Sequence, residues 1–301
     1  MIEQTVGFYS DGAYLDGTLY FPARPVSALD GADSRKPLVL TCSGFLGLKD
    51  IHPARFARSL SRRGYPCFGF DYRGFGKSDP LGTASPQQQA LDIADALSYL
   101  SEHPDTRNRQ IVTIGWGMGA GLLIDALRIT PISSALITIN GFYNWARLQE
   151  KVRGADGWAA YKSWLFKERA RAAESGNSPQ IEPFFMYPLD SQTQVYVDDV
   201  LYRFPGFGGK VPLGFATSMM LFAPDDNLSH LKNVPVLIVH GAQNELHPPS
   251  EAQHLYDAYP GPKTLHWLPD AGHTEWMFDD HPRFEALAGQ IDEWIATCLQ
   301  P

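Results

Sequence analysis

Apolar and polar residues alternate from Gln4 to Ser10 and again from Ala13 to Pro22, on either side of Asp11-Gly12. That is the pattern of an antiparallel hairpin closed by a two-residue turn. Residues Ala23 to Lys36, rich in Pro, Ala, Ser and Asp, read as a surface loop. From Pro37 the rhythm changes to short, almost wholly apolar runs separated by helical periods. The runs are Leu38 to Thr41, Cys67 to Phe70, Ile111 to Ile114, Ala135 to Ile139, Val234 to His240 and Thr264 to Leu268. The helical stretches are Pro53 to Arg63, Pro86 to Leu100, Ala120 to Ile129, Ser250 to Tyr259 and Pro282 to Thr297. Strands apolar on both sides, alternating with helices, predict a mostly parallel eight-stranded sheet with helices on both faces.

One segment breaks the alternation. Residues 141–229 lie between the sixth strand and the resumption of the sheet and carry Trp145, Trp158, Tyr161, Trp164, Phe184, Phe185, Tyr187, Tyr196, Tyr202 and Phe204. So long an insertion predicts a lid over the carboxyl ends of the strands, where open α/β sheets bind ligands. The expected organisation is one core, residues 1–140 and 230–301, with a lid at 141–229.

Composition narrows the partners. With 301 residues, 44% hydrophobic, the chain can bury one large core. A formal net charge of −8 without a Lys/Arg run disfavours nucleic acid and anionic membranes, which require a concentrated basic face. The N-terminus has no basic stretch followed by an apolar one, and no apolar run is long enough to span a bilayer, so a cytoplasmic location is expected. Three cysteines, Cys42, Cys67 and Cys298, lack metal-ligand spacing. Neither metal nor cofactor is predicted; the expected partner is an apolar or aromatic small molecule, and a homodimer is admitted.

Candidate chemistry starts at Gln110 to Gly121, QIVTIGWGMGAG: a buried strand, a glycine turn and a helix. Three further motifs stand at strand ends, Ser43-Gly44-Phe45-Leu46-Gly47, then Phe70 to Ser78 (FDYRGFGKS), then Ala271-Gly272-His273. In that order, the four motifs resemble the α/β-hydrolase family over nearly the whole chain, with QIVTIGWGMGAG in the place of its strand–turn–helix nucleophile elbow, G-x-S-x-G. The resemblance implies the α/β-hydrolase fold and a catalytic trio of nucleophile, acid and His273. Here the nucleophile position is Gly117, and Asn244 stands where relatives usually carry Asp, although Glu245 one residue on could serve as the acid. Losing a triad nucleophile removes on the order of 10⁶ in turnover, so ester hydrolysis through residue 117 is excluded.

Three readings follow. In the first, a His273 general acid/base and an oxyanion hole of backbone N–H groups from Met118 and from Phe45 or Leu46 act on a carbonyl-bearing small molecule of specialised metabolism, as a lyase, cyclase or isomerase. Hydroxynitrile lyases and cofactor-free dioxygenases use the fold in this way, without an acyl-enzyme. In the second, the chain is an esterase, amidase or thioesterase whose serine has been replaced. In the third it is a binding or scaffold protein, as the N-myc downstream-regulated family, which resembles it at the elbow glycine, suggests. The role of His273 turns on Asn244. If the amide carbonyl accepts from Nδ1–H, Nε2 is a base; if the amide donates, Nε2 carries the proton and the ring is a donor or acid. Substrate contacts are expected from Ser43, Trp116, Tyr143, Trp145 and Trp276. His240 and His247 read as structural, with His247 within reach of the cleft; Asp71 and Arg73 read as an ion pair holding a loop.

Overall fold

Strands β1 (Ile2–Ser10) and β2 (Ala13–Phe21) pair in antiparallel register, Ser10 opposite Ala13. Asp11 and Gly12 between them both have positive φ, as a right-twisted hairpin requires of its turn. The computed structural model describes residues 1–23, 36–80 and 84–299; the loop expected at 23–36 lies almost wholly outside them.

From Leu38 the chain winds as its hydrophobic runs dictate. β3 (Leu38–Cys42) leads to α1 (His52–Arg62), β4 (Cys67–Phe70) to α2 (Pro86–Glu102), and β5 (Ile111–Trp116) to α3 (Met118–Ile129) and β6 (Ser133–Ile139). After the insertion come β9 (Val236–Gly241), α8 (Pro249–Ala258), β10 (Lys263–Leu268) and α9 (Pro282–Cys298). The eight strands form one sheet in the order β1-β2-β4-β3-β5-β6-β9-β10, parallel from β4 onwards and antiparallel at the β1-β2 and β2-β4 pairs. Successive strand side chains point to opposite faces. Leu38, Leu40, Leu136, Val236 and Ile238 accordingly pack with α2, α3 and α8, while Val39, Ile137, Leu237 and Val239 pack with α1 and α9. Both faces are covered, which is why these strands read as unbroken apolar runs.

The insertion between β6 and β9 contains α4 (Trp145–Ser175), broken at Gly154 (φ 71°, ψ 168°), then β7 (Gln180–Ile181), α5 (Pro183–Met186), α6 (Ser191–Asp199), β8 (Val211–Pro212) and α7 (Leu213–Met219). β7 and β8 pair with each other, apart from the main sheet. Arg147 fastens the start of α4 to the core: its guanidinium donates to Glu251 of α8 at 2.6 and 2.7 Å and pairs with Asp225 at 2.8 Å. Among the described residues no helix is long and apolar enough to cross a membrane.

Candidate active site

The elbow is built by close approach. A Cβ on Gly119 would run into the Ser43 carbonyl oxygen, so only glycine lets the loop after β3 lie directly on the first turn of α3. Gly117, between strand and helix, sits at φ 55°, ψ −123°. A Cβ there would meet only ordinary contacts: His247 Cε1 at 3.6 Å, Gly44 Cα at 4.0 Å and His273 Nε2 at 4.0 Å. The turn therefore holds the shape of a nucleophile elbow, with room for the side chain it lacks. Among the described residues no acceptor takes the N–H of Met118, Phe45 or Leu46. All three residues line the space above Gly117. The loop carrying Phe45 and Leu46 is fixed from behind: the Tyr72 hydroxyl donates to the Ser43 carbonyl, the Ser43 hydroxyl to the Leu48 carbonyl, and the Lys49 N–H to Asp71.

His273 faces this space from the loop after β10, and Asn244 stands behind it. The Asn244 Oδ1 accepts the backbone N–H of His247 at 2.9 Å, which turns its NH₂ group toward His273 Nδ1, 3.1 Å away. An amide nitrogen only donates, so Nδ1 accepts and the ring proton resides on Nε2, an assignment that follows from the hydrogen-bond network. A triad aspartate would fix the opposite tautomer. Burial, reinforced by the neighbouring imidazoles of His247, His52 and His240, holds the His273 pKa well below its ordinary value, so the ring is neutral at pH 7. His273 thus presents an N–H, rather than a lone pair, to the elbow. Glu245 is exposed and makes no hydrogen bond to His273, so the expectation that it could replace Asn244 as partner fails: the loop turns its side chain outward while Asn244 is held inward by His247.

Asn140, at the end of β6, ties the two histidine loops together and is absent from the residues the sequence singled out. Its side chain donates to the His273 carbonyl at 2.8 Å and accepts the Gly241 N–H at 2.8 Å; its own carbonyl accepts Nδ1–H of His247 at 2.5 Å. That last bond leaves the lone pair of His247 on Nε2, where the Tyr187 hydroxyl donates to it. His240 donates Nε2–H to the His247 carbonyl at 2.8 Å. Burial lowers His247 to about 3 and His240 to about 4. The rings of His247 and His273 are 4.5 Å apart and edge-on.

A cavity of about 80 Å³ lies over Gly117. Ser43, Trp116, His52, His247 and His273 line it from the core, and Phe184, Tyr187, Leu189, Val197 and Phe207 from the insertion. His52, unremarked in the sequence, packs against Trp116 with ring centroids 4.6 Å apart and planes tilted by 30°, and has a buried Nε2 without a partner. Three residues expected to contact substrate do not reach the cavity. Tyr143 and Trp145 are wholly buried at the start of the insertion, the Tyr143 N–H donating to Glu251, and Trp145 stacks on Tyr187 at 5.8 Å. Trp276 donates its indole N–H to the Gly272 carbonyl and packs edge-on behind Trp116. Tyr143 and Trp145 follow the end of β6 and Trp276 lies three residues past His273, but all three side chains turn into the packed interior. Among the described residues no three His, Cys, Asp or Glu side chains are grouped so as to hold a metal ion.

Comparison with known proteins fits this architecture. The Hydrolase_4 family profile, described as serine aminopeptidase, S33, matches residues 33–280. An uncharacterized 31.7 kDa protein of Escherichia coli, from a traX-finO intergenic region, is 25% identical over 88% of this chain and 92% of its own. A thiohydrolase of Eupenicillium brefeldianum is 25% identical over 91% and 88%, and a polyketide transferase of Stachybotrys chlorohalonatus 24% over 91% and 90%. The crystal structure of an α/β hydrolase from Penicillium sp. sh18 superposes with a TM-score of 0.77 at 17% identity, covering 99% of both chains, which establishes the fold alone.

Proposed function

The chain belongs to the Hydrolase_4 family of α/β hydrolases, and from that premise we propose that it acts on a carbonyl-bearing, largely apolar small molecule by proton transfer and anion stabilisation, without an acyl-enzyme. The reaction is then of lyase, cyclase or isomerase type. The observation that carries this reading is the Asn244 amide behind His273, which puts a proton on Nε2 opposite a position with no nucleophile. A carbonyl oxygen placed over Gly117 meets the N–H of Met118, those of Phe45 or Leu46, and Nε2–H of His273. Such donors, fixed in a water-poor site, stabilise an enolate or alkoxide as it forms.

The insertion serves as the lid in this reading. Phe184, Tyr187 and Leu189 of the insertion form part of the wall of the cavity of about 80 Å³, so in this reading their withdrawal widens it for a larger substrate. The lining is apolar and aromatic, and the relatives named thiohydrolase and polyketide transferase point to acyl or polyketide substrates. The test is to incubate native protein and His273→Ala with producer-cell extract and follow the compounds by mass spectrometry. A compound consumed only by the native protein supports the reading; equal consumption by both removes His273 from the chemistry.

A second reading has its own support: the φ of 55° and the free volume at residue 117 fit a side chain that has been lost, as in a thioesterase or esterase with its serine replaced. Restoring Gly117→Ser and adding a fluorophosphonate probe tests it. Fast stoichiometric labelling of that single variant favours the replaced-serine reading.

A further inference from the structure

We propose that Tyr187 and His247 form a proton relay that removes the α-proton of a ketone or β-keto acyl substrate whose carbonyl oxygen lies over Gly117. This rests on the anion pocket of the preceding section and adds to it the base that His273, with its proton on Nε2, cannot be.

The site holds two imidazoles in opposite tautomers. His273 offers an N–H; His247, with Nδ1–H given to the Asn140 carbonyl at 2.5 Å, offers a lone pair on Nε2. His247 Cε1 is 3.6 Å from where a Cβ on Gly117 would stand, so the ring borders the reacting position. Its occupant is the hydroxyl of Tyr187, a residue of the insertion that lines the same cavity and is stacked on Phe45 of the anion-binding loop at 4.8 Å and 13°. The stacking holds the phenol ring against the anion-binding loop while its hydroxyl stays on His247. Neither partner is charged at rest, since burial drives the tyrosine up and the histidine down.

The step balances without a co-reactant. As the substrate Cα–H bond breaks, its proton passes to the Tyr187 oxygen, and the phenol proton passes to His247 Nε2. The electron pair of the C–H bond becomes the new C=C bond, and the carbonyl π pair moves onto oxygen, giving an enolate held by His273 Nε2–H and the backbone N–H groups. His247 is left as imidazolium, doubly protonated, with Asn140 accepting from Nδ1. Reversal returns a proton to carbon; reaction of the enolate carbon elsewhere gives the lyase or cyclase outcome.

Acetone, a minimal ketone, is the probe, and exchange of its methyl protons in D₂O, followed by ¹H NMR, is the readout. The full-length native protein should exchange acetone at least tenfold faster than an equal concentration of free imidazole. Tyr187→Phe, which keeps the ring and its stacking, should lower kcat about 100-fold with KM unchanged, in line with the usual size of general acid–base catalysis. His247→Asn, whose amide can still donate to Asn140, should fall by a similar factor, and the double variant no further. Native exchange no faster than imidazole, or exchange undiminished in Tyr187→Phe, overturns the relay. Loss in His273→Ala with none in Tyr187→Phe or His247→Asn overturns it too, while sparing the anion pocket; the reverse pattern keeps the relay and removes His273.

Discussion

At the scale of single residues, one atom decides which chemistry is open. With nitrogen of Asn244 facing His273, the imidazole cannot take a proton from a hydroxyl at position 117. Restoring the serine alone therefore restores the nucleophile without its base. Gly117→Ser with Asn244→Asp should recreate the Nε2 lone pair, because an aspartate accepts from Nδ1–H. A wrong tautomer costs about 10⁴ in the serine proteases. The double variant should accordingly react with a fluorophosphonate 10³ to 10⁴ times faster, by order of magnitude, than Gly117→Ser alone, as measured by the labelling rate on a denaturing gel. Equal rates would show that the Asn244 amide does not set the tautomer. Serine at φ 55° should also cost about 1 kcal/mol of stability.

Among the elements, Arg147 is a charged tie between the insertion and the core. It bridges Glu251 and Asp225, whose side chains are 3% and 8% exposed. Arg147→Ala would strand two nearly buried carboxylates, a change that costs about 3 kcal/mol. The protein should melt several degrees lower, and amide exchange should accelerate in 141–229 before the sheet. Uniform acceleration would mean that insertion and core unfold as one unit.

The same elements show what a sequence discloses. The hairpin, the sheet, the elbow, the loop of Phe45 and His273 were all legible, because each is local: a periodicity, a turn, a motif at a strand end. Asn140, His52 and Tyr187 were not. Asn140 acquires its role from three groups brought to it by β9 and by the loops holding His247 and His273; Tyr187 acquires its from the path of the insertion, which no periodicity encodes. Tyr143, Trp145 and Trp276 failed for the converse reason, since closeness along the chain to a strand end or to His273 does not decide whether a side chain turns to the cavity or into the core.

For the molecule as a whole, the carboxyl end of the sheet is a store of neutral imidazole. His52, His240, His247 and His273 are buried, and all have pKa values pushed down by desolvation. Between the unfolded value near 6.5 and the folded values, about 4 for His240 and about 3 for His247, the unfolded chain binds protons that the folded chain refuses. Stability is therefore unpenalised above pH 6.5 and falls as the pH is lowered through that window, each imidazole contributing up to about 1.4 kcal/mol per pH unit. Asp71, Asp92 and Asp225 act in the opposite sense, because burial raises their folded pKa values and the folded chain protonates them first. A single melting curve mixes the two effects; a difference separates them. His247→Asn removes one refused proton and leaves every carboxylate in place. The native protein should exceed the variant in Tm by its widest margin at pH 7 to 8, and the margin should shrink steadily from pH 6.5 to 4.5. A margin that stays constant over that range would mean that His247 titrates alike in both states, and the neutral ring on which the relay and its tautomer depend would not exist.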